Sequence, residues 1–249
     1  MKLSIITVVY NNERTITDAI ESVLGQTYKN IEYIVVDGNS TDGTLERIEP
    51  YRGNIHHFVS ERDNGIYDAM NKGLALATGD VIGILNSDDV YADPEILERI
   101  MSAFKQDPKL DLIYGDLVYV KPDNLSNIVR YWQSAPYYER FFADGHVPPH
   151  PSLFVKNKVY QRAGFFNITM QLAADYELML RVFKKYDFKS KYIASVFVKM
   201  RLGGSTNKNW KNIIKGNKEI LKAWKINNLS VPILLMPYRI IKRLAQFKK

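Results

Sequence analysis

The chain contains no cysteine, and that absence removes several chemistries at once. Its 249 residues offer no thiol for a disulfide, a zinc site or a nucleophile. A reducing, cytoplasmic environment agrees with this composition. No apolar run approaches the roughly 20 residues of a membrane-spanning helix; the nearest candidate, residues 231–238, contains two prolines. The first residues show no signal-peptide pattern.

Two glycine-rich nucleotide-binding patterns are also absent. No Gly-x-Gly-x-x-Gly follows a predicted strand, and there is no Gly-x-x-x-x-Gly-Lys-Ser/Thr. The sequence therefore supports neither a dinucleotide-binding dehydrogenase nor a P-loop enzyme. The length and a hydrophobic content of 46% fit one large α/β domain, or such a domain with an appended tail.

Negative charge is scarce at the carboxyl end. Residues 199–249 hold 13 Lys or Arg and one acid, a net charge of +12, whereas residues 1–198 carry −5. This contrast predicts an anionic partner for the tail. Aromatic side chains alternate with the basic ones at Trp210, Trp224, Tyr238 and Phe247, which is typical of an interfacial membrane anchor. Nucleic-acid binding, or packing of the tail on the rest of the chain, are the alternatives.

Short apolar runs alternate with helical patterns in the first half of the chain. This order predicts a mostly parallel sheet with strands at 3–9, 31–36, 57–60 and 81–85. Thr15 and Asp18 resemble a capping box that opens the first helix. Further on, residues 112–120 and 128–132 alternate apolar with polar residues, which predicts half-exposed antiparallel strands.

Polar residues follow several of the predicted parallel strands. Asn11, Asp37, Asp63 and Asp88 each come near a strand's carboxyl end, where open α/β sheets bind their ligands. Any one of these acids alone could be a helix cap. Asp88 and Asp89 are adjacent, and hard oxygen ligands this close repel one another without a cation. The pair predicts Mg²⁺ or Mn²⁺ on a substrate phosphate.

Three segments together carry a family resemblance. They are Gly65-Ile-Tyr-Asp-Ala-Met-Asn-Lys-Gly73, Ala77-Thr-Gly-Asp80 and Asn86-Ser-Asp-Asp89. With them the chain resembles the family 2 glycosyltransferases, which are inverting enzymes of GT-A fold that use nucleotide-sugar donors. The resemblance covers residues 1–205 and is most specific over 2–89. It implies a mostly parallel central sheet flanked by helices, a small antiparallel element and a basic helical tail.

The resemblance also implies roles for particular residues. Asn86-Ser87-Asp88 stands where the family carries Asp-x-Asp, and the change to Asn86 leaves Asp88 and Asp89 as metal contacts. Asp175, in Ala-Asp-Tyr-Glu at a predicted helix start, matches the catalytic base. The implied donor-binding residues are Val9, Asn11, Glu13, Asp37, Asp63, Tyr67, Asn71, Lys72, Asn86, Ser87 and Asp88. His150 and Glu177 fall in the acceptor or sugar site, and Arg201 and Ser205 in a loop over the diphosphate.

The implied reaction moves a sugar from a nucleotide-diphosphate sugar, with UDP favoured, to a hydroxyl of a glycan or lipid-linked acceptor. Residues 1–206 would form the GT-A domain, with donor half 1–110 and acceptor half 111–206, and 207–249 the basic amphipathic tail. We expect Mg²⁺ or Mn²⁺ as cofactor, cell-surface polysaccharide synthesis at the inner face of the membrane, and no nucleic acid. A nucleotidyltransferase of similar fold and a non-catalytic basic binding protein are the alternatives.

Overall fold

The computed structural model describes residues 1–186, 188–203 and 210–247, with Trp210 as backbone only. The strands are β1 (Leu3–Val9), β2 (Ile31–Asp37), β3 (His57–Ser60), β4 (Val81–Asn86), β5 (Asp89–Tyr91), β6 (Leu112–Lys121), β7 (Asn124–Trp132), β8 (Leu153–Lys156) and β9 (Ser190–Arg201). The helices are α1 (Ile16–Leu24), α2 (Thr44–Ile48), α3 (Ile66–Leu76), α4 (Ile96–Gln106), α5 (Asn157–Ala163), α6 (Ala174–Lys185), α7 (Trp210–Ile226) and α8 (Leu235–Ala245).

The described strands form one sheet in the order β3-β2-β1-β4-β8-β6-β9-β5, with β7 paired to β6. Strands β1 to β4 pair in parallel with one another, and β6 is parallel to β9. The antiparallel strands β5, β7 and β8 join the same sheet instead of forming a separate element. The predicted class, an α/β fold with a mostly parallel sheet and some antiparallel strands, is confirmed.

Strand β1 shows why the sheet needs helices on both faces. All seven of its residues are buried. Because side chains alternate along a strand, Ile5 packs with the α1 and α4 side while Ile6 packs with the α3 and α6 side. A continuous apolar run is what a strand covered on both faces requires. The two-sided core therefore follows directly from the sequence.

Strand β6 departs from the prediction of a half-exposed strand. Every residue from Leu112 to Val120 is buried, whereas its partner β7 is half exposed, as predicted. The polar residue that suggested exposure is Asp116, which is 2% exposed. Its carboxylate accepts hydrogen bonds from the hydroxyls of Tyr131 and Tyr192 at 3.0 and 2.8 Å. An alternating sequence pattern cannot distinguish an acid that is exposed to solvent from a buried acid whose carboxylate accepts hydrogen bonds from other side chains.

The predicted capping box at the start of α1 is wrong. Thr15 occupies the N-cap position, but its side chain makes no capping bond. Its hydroxyl instead donates to Asn12 Oδ1 at 2.9 Å and to the Ser87 carbonyl at 3.0 Å. Asp18 forms an ion pair with Arg201. Both side chains connect α1 to loops, and these tertiary interactions take the place of the capping hydrogen bonds that the local motif predicts.

Helix α7 packs on the body of the protein. Trp224 is buried, and its indole N–H donates to the Tyr176 hydroxyl at 2.9 Å. Glu219 accepts hydrogen bonds from the backbone of residues 171–173. The prediction of Trp224 as an interfacial anchor is therefore wrong. The boundary at 206/207 lies outside the described residues. In the part of the chain that the structure describes, no helix has the length and apolarity to cross a membrane.

Helix α8 packs in an unusual orientation. Leu235 is buried, and Gly145, at φ +81°, lies so close to the backbone of Tyr238 and Arg239 that a Cβ there would clash with it. Most of the apolar side chains around α8 point outward, and their exposed fractions range from 52% to 96%: Ile233, Leu234, Ile240, Ile241, Leu244 and Phe247. We call these six residues the outer stripe. The face of α8 that meets the protein is therefore not its most apolar one.

Candidate active site

The candidate site lies at one edge of the sheet. Because β1 to β4 run in parallel, Val9, Asp37, Ser60 and Asn86 all end at this edge. Strand β8 is antiparallel to β4, so the segment that precedes it, including His150, reaches the same edge. The topology therefore brings together residues that are far apart in the sequence.

Asp37 is fully buried at the end of β2. Its Oδ1 accepts a hydrogen bond from Ser40 Oγ at 2.5 Å, and its Oδ2 accepts one from Ser60 Oγ at 2.6 Å. The Ser40 amide also donates to Oδ2, at 3.0 Å. Asp37 thus joins the ends of β2 and β3. Its contact with a nucleobase stays a prediction, and such a contact would share a carboxylate that already has three donors.

The loop after β1 is joined to the loop after β2. Asn11 has a positive φ of 47°, and its Oδ1 accepts a hydrogen bond from the Thr41 amide at 2.8 Å. Glu13 Oε2 accepts one from the Gly43 amide at 3.2 Å. Val9 is buried, and its carbonyl accepts the Gly38 amide at 2.8 Å. These bonds shape the floor on which a nucleoside would rest.

Asp63 approaches this floor closely. Its Oδ1 accepts a hydrogen bond from the Gly65 amide at 2.8 Å. Its Oδ2 lies 2.5 Å from the place where a Cβ on residue 38 would stand, so glycine at 38 leaves the space for the carboxylate. Asp63 and Asp37 therefore lie at the ends of neighbouring strands, as the sequence predicts.

The Asn86–Asp89 segment brings two acids together at the end of β4. Asn86 Nδ2 donates to Asp89 Oδ2 at 2.9 Å, and Ser87 Oγ accepts a hydrogen bond from Asn12 at 2.8 Å. Asp89 is fully buried, and burial, together with the charge of Asp88, raises its pKa well above its ordinary value. Burial also raises the pKa of Asp88.

These residues fit a divalent cation. The described structure gives no hydrogen-bond donor to two buried oxygens, Asn86 Oδ1 and Asp89 Oδ1. Carboxylate and amide oxygens are the ligands that Mg²⁺ and Mn²⁺ take. No three His, Cys, Asp or Glu side chains of the described residues group as a metal cage. Such a cation would therefore need ligands from a substrate phosphate or water, as is usual for Mg²⁺.

Arg201 holds the Asn86–Asp89 segment in place. It is 5% exposed, donates to the Asp88 carbonyl at 2.8 Å and to the Pro122 carbonyl at 3.1 Å, and pairs with Asp18. The guanidinium is thus directed at protein acceptors, and a diphosphate contact would require it to leave them. Ser205, the other residue predicted for this loop, lies outside the described residues.

Asp175 faces the same edge from the acceptor half. It is the second residue of α6, after the N-cap Ala173, and is half-buried, so it is not a capping residue. The Tyr67 hydroxyl donates to Asp175 Oδ1 at 3.0 Å. Burial and the charge of Asp175 raise the pKa of Tyr67 well above its ordinary value, so the phenol keeps the proton that it donates. The sequence gives no sign of this contact between residues 67 and 175.

His150 lies next to this pair. Its ring packs edge-on against Phe166 at 5.6 Å between centroids, and Phe166 stacks on Tyr67 at 5.6 Å. Burial lowers the pKa of His150 while the charge of Asp175 opposes the change. The imidazole is therefore neutral at pH 7, and it can donate or accept a hydrogen bond but adds no charge.

Two residues predicted to bind the donor hold loops in place instead. Asn71 Nδ2 donates to the Phe166 carbonyl and its Oδ1 accepts from the Phe166 amide, both at 2.9 Å. Lys72 donates to the Arg62 carbonyl and pairs with Glu61, both at 2.8 Å. A donor contact from either residue would break one of these interactions.

The placement of Glu177 in the acceptor site is wrong. Glu177 is 3% exposed and pairs with Arg181 through two hydrogen bonds of 3.0 Å. Asn227 Nδ2 also donates to it, at 2.9 Å. Two residues along a helix correspond to a rotation of about 200°, so Glu177 points away from the face that carries Asp175. It belongs to the contact between α6 and α7.

Sequence reasoning also missed Tyr119, a buried residue of β6. Tyr119 is 9% exposed on β6. Burial raises the pKa of its phenol, and among the nearby charges Asp89 and Asp175 both raise it while Arg130 and Arg243 lower it. The charges of the candidate metal ligand Asp89 and of the candidate base Asp175 therefore both act on Tyr119. No sequence pattern marks it, because β6 reads as half exposed.

Comparison with solved structures gives the class of protein. The chain matches residues 1–349 of Staphylococcus aureus TarS in complex with UDP at a TM-score of 0.69 and 18% identity, over 96% of this chain and 68% of that one. It matches the mannosyltransferase PcManGT from Pyrobaculum calidifontis, in complex with GDP-Man and Mn²⁺, at a TM-score of 0.64 and 18% identity, over 98% and 74%. The fold is that of the GT-A glycosyltransferases.

Sequence comparison then gives the family. The model for glycosyl transferase family 2 matches residues 4–165, and the chain belongs to that family. An uncharacterized glycosyltransferase of Mycobacterium tuberculosis is 29% identical over 72% of this chain and 68% of its own length. A PGL/p-HBAD biosynthesis glycosyltransferase of Mycobacterium bovis is 27% identical over 82% and 78%. The protein is a glycosyltransferase.

Proposed function

We propose that this glycosyltransferase inverts the configuration of a sugar that it moves from a nucleotide-diphosphate sugar to a hydroxyl of a glycan or lipid-linked acceptor. The observation that carries the proposal is the position of Asp175. Its carboxylate is held by Tyr67 at 3.0 Å, at the sheet edge that also presents Asp88 and Asp89. A base on one side of a crevice and a cation site on the other suit a single displacement.

The donor would lie across the ends of β1 to β4. Asp37 and Asp63, with the loop of Asn11, would hold the nucleoside, and the Asn86–Asp89 loop would hold the diphosphate. Asp88 and Asp89 would bind Mg²⁺ or Mn²⁺, and the cation would offset charge on the departing nucleoside diphosphate. PcManGT binds GDP-Man with Mn²⁺, and TarS binds UDP and UDP-GlcNAc. We favour a UDP-sugar for this chain.

Asp175 would act as the general base. As the acceptor oxygen bonds to the anomeric carbon, the bond from that carbon to the diphosphate oxygen breaks, and the hydroxyl proton passes to Asp175. Attack opposite the diphosphate inverts the anomeric configuration without a covalent sugar intermediate. Tyr67 engages Oδ1, which directs the proton to Oδ2. A positioned base typically contributes about 10² to 10⁴ in rate.

Product analysis tests this function. The full chain is incubated with UDP-, GDP- and dTDP-sugars and Mn²⁺, with and without extracts that contain glycolipid. We expect one nucleotide sugar to release nucleoside diphosphate, and Asp175→Asn to slow the release by about 10² to 10⁴. Release of pyrophosphate would instead identify a nucleotidyltransferase. Binding of duplex DNA with a steep salt dependence, and of no nucleotide sugar, would favour the non-catalytic alternative.

We also propose that the enzyme works at an anionic membrane surface, on the cytoplasmic face, in cell-surface polysaccharide synthesis. The outer stripe supports this, because six exposed apolar side chains lie in and beside the basic helix α8. Basic residues near an anionic leaflet contribute about 1 kcal/mol each. With the division proposed at 206/207, only the end of the tail would meet the bilayer, since Trp224 is buried in the body.

Sedimentation with vesicles tests the attachment. We expect the protein to bind vesicles of phosphatidylglycerol and phosphatidylcholine at low salt, and Ile240→Ser with Leu244→Ser to abolish binding. Ile128→Ser, which changes an apolar side chain on β7 that is 54% exposed, is the matched control and should have no effect. Failure of the unaltered protein to bind anionic vesicles would refute the attachment.

A further inference from the structure

Glu219 is the one acid among residues 199–249, where it stands with 13 Lys or Arg. It lies on α7 and is 8% exposed. A buried carboxylate is costly for a fold unless other groups donate hydrogen bonds to it. What Glu219 binds therefore indicates what the single acid of this basic segment does.

The partners of Glu219 are three consecutive backbone amides just before α6. Its Oε1 accepts a hydrogen bond from the amide of Gln171 at 3.1 Å, and its Oε2 accepts those of Leu172 and Ala173 at 2.8 and 3.0 Å. One carboxylate thus satisfies every backbone N–H of this short segment. Ala173 is the N-cap of α6 and makes no side-chain capping bond. Glu219, on another helix, fixes the start of α6 in its place.

The segment that Glu219 binds leads directly to the proposed base. Asp175 follows Ala173 by two residues and lies in the first turn of α6. The residue after Asp175 is also bound to α7, because the indole N–H of Trp224 donates to the Tyr176 hydroxyl at 2.9 Å. Helix α7 therefore holds the chain both before and after Asp175.

Tyr67 holds the carboxylate of Asp175 but not the backbone that carries it. The Tyr67 hydroxyl, on α3, donates to Oδ1 at 3.0 Å, and this bond requires α6 to begin at a fixed place relative to α3. Without Glu219, three amides would lose their acceptor, and the segment would have to move or admit water. A misplacement of about 1 Å at a reacting group can cost about 10² in rate.

We propose that Glu219 is a positioning residue for the proposed base, because it holds the start of α6 so that Asp175 stays in place for the acceptor hydroxyl. This inference rests on the proposed function. Glu219 touches no reacting atom, and its effect reaches the reaction through Asp175. The part of the chain that serves the acceptor therefore extends past the boundary proposed at 206/207 and includes α7.

Replacement of Glu219 tests the inference. Glu219→Gln keeps the size of the side chain but has one acceptor oxygen instead of two. Turnover per folded molecule, followed as nucleoside diphosphate release in the nucleotide-sugar panel, should fall about ten- to a hundredfold. Affinity for UDP with Mn²⁺, measured by calorimetry, should not change, because the hydrogen bonds of Glu219 go to none of the residues proposed to bind the donor. If Glu219→Gln does not fold, Glu219→Asp, which keeps the charge but shortens the side chain, replaces it with the same expected results.

Asn227→Ala is the matched control. Asn227 is buried and also joins the end of α7 to α6, but it donates to Glu177, on the side away from Asp175, at 2.9 Å. Its replacement should lower the melting temperature and leave turnover per folded molecule unchanged. A fall in turnover equal to that of Glu219→Gln would show that any damage to the contact between α6 and α7 slows the enzyme, and would overturn the specific role of Glu219.

A double-mutant cycle shows whether Glu219 acts through Asp175. In the Asp175→Asn background, Glu219→Gln should reduce turnover by less than about twofold, because the side chain that it positions no longer accepts the proton. A further loss as large as in the unaltered enzyme would overturn the inference, as would full turnover of Glu219→Gln or a loss of UDP affinity. Full turnover of Asp175→Asn would instead refute the proposed base and, with it, both the proposed function and this inference.

Discussion

Acids at the two edges of the sheet have pKa values that are shifted in opposite directions. At the amino-end edge, Glu32 is 2% exposed and accepts hydrogen bonds from Lys2, Ser4 and Thr78, at 2.5, 2.5 and 2.7 Å. Burial alone would raise the pKa of Glu32, but these donors outweigh it and lower the pKa to about 2. At the carboxyl-end edge, burial raises the pKa of both Asp88 and Asp89.

The difference teaches how to distinguish a structural acid from one that awaits a ligand. The three side chains that donate to Glu32 all come from the chain itself, so the hydrogen bonding of this acid is complete. Asp89 and Asn86 keep buried oxygens without a donor in the described structure. Proteins rarely leave buried acceptors unsatisfied, which agrees with the proposal that a cation binds at this edge. Each of the following predictions tests one side of this contrast.

The largest effect is expected at Asp175. Asp175→Asn keeps the size of the side chain but cannot accept the proton, so turnover should fall by about 10² to 10⁴. Donor affinity should not change, because Asp175 lies on the acceptor side of the crevice. Steady-state kinetics measures the fall in turnover, and calorimetry measures the affinity for the donor. Loss of donor binding together with activity would make Asp175 a donor ligand.

Glu32→Gln should lower the free energy of unfolding at pH 7 by on the order of 2–3 kcal/mol, while the rate per folded molecule stays the same. The folded-state pKa of about 2 lies below the ordinary 4.5. The stabilisation from Glu32 is therefore present above about pH 4.5 and is lost as the pH falls towards 2. Urea unfolding at several pH values checks this. A difference between the two proteins that did not shrink with acid would contradict it.

Asp89→Asn should raise the stability of the metal-free protein and abolish activity, the opposite of the effects expected for Glu32→Gln. Without metal, it removes a buried charge whose folded-state pKa lies well above its ordinary value, and that charge opposes folding once the pH rises above about 4. The melting temperature of the metal-free protein at pH 8 should therefore rise by a few degrees, about 1 kcal/mol. Activity, and the rise in melting temperature that Mn²⁺ and UDP give the unaltered enzyme, should be lost. A fall in metal-free stability would place Asp89 with Glu32 as a structural acid.

The smallest effect is expected at Tyr67. Tyr67→Phe removes the hydrogen bond to Asp175 but keeps the ring that stacks on Phe166. Turnover should fall about tenfold or less, since one hydrogen bond to a charged group contributes roughly 1.5–3 kcal/mol and water can replace part of it. Steady-state kinetics checks this, and an unchanged turnover would leave Tyr67 with a packing role only.

The first half of the fold could be predicted closely from the sequence, and the second half less well. Strands β1, β2 and β4 are short, mostly apolar runs without regular polar alternation, which is typical of strands in a covered parallel sheet. Strand β6 has the same burial but carries Asp116, whose partners come from β7 and β9. Those partners are set by tertiary contacts, which an alternating pattern does not encode.

The candidate site, like the fold, could be predicted from the sequence only in part. Motifs mark Asp37, Asp63, Asp88 and Asp175, all of which lie at one edge of the sheet. Motifs do not distinguish a residue that faces the crevice from one that holds its walls, as Asn71 and Arg201 show. Glu177 could have been excluded by helical periodicity alone. The contact between Tyr67 and Asp175 could not have been found, because nothing in the sequence pairs positions 67 and 175.

The pairing of β5 has a consequence for how the protein is made. Strand β5 carries Asp89 and pairs with β9, where Asp89 lies opposite Met200, and the carbonyl of Asp88 is held by Arg201. The acids of the cation site are therefore translated early but acquire their supports only after about a hundred further residues have left the ribosome. A nascent chain arrested before residue 201 would contain most of the residues proposed to hold the nucleoside. Its proposed cation site would still lack the support of Arg201. If the proposed cation site is required, sugar transfer would start only after the segment around Arg201 has been synthesised.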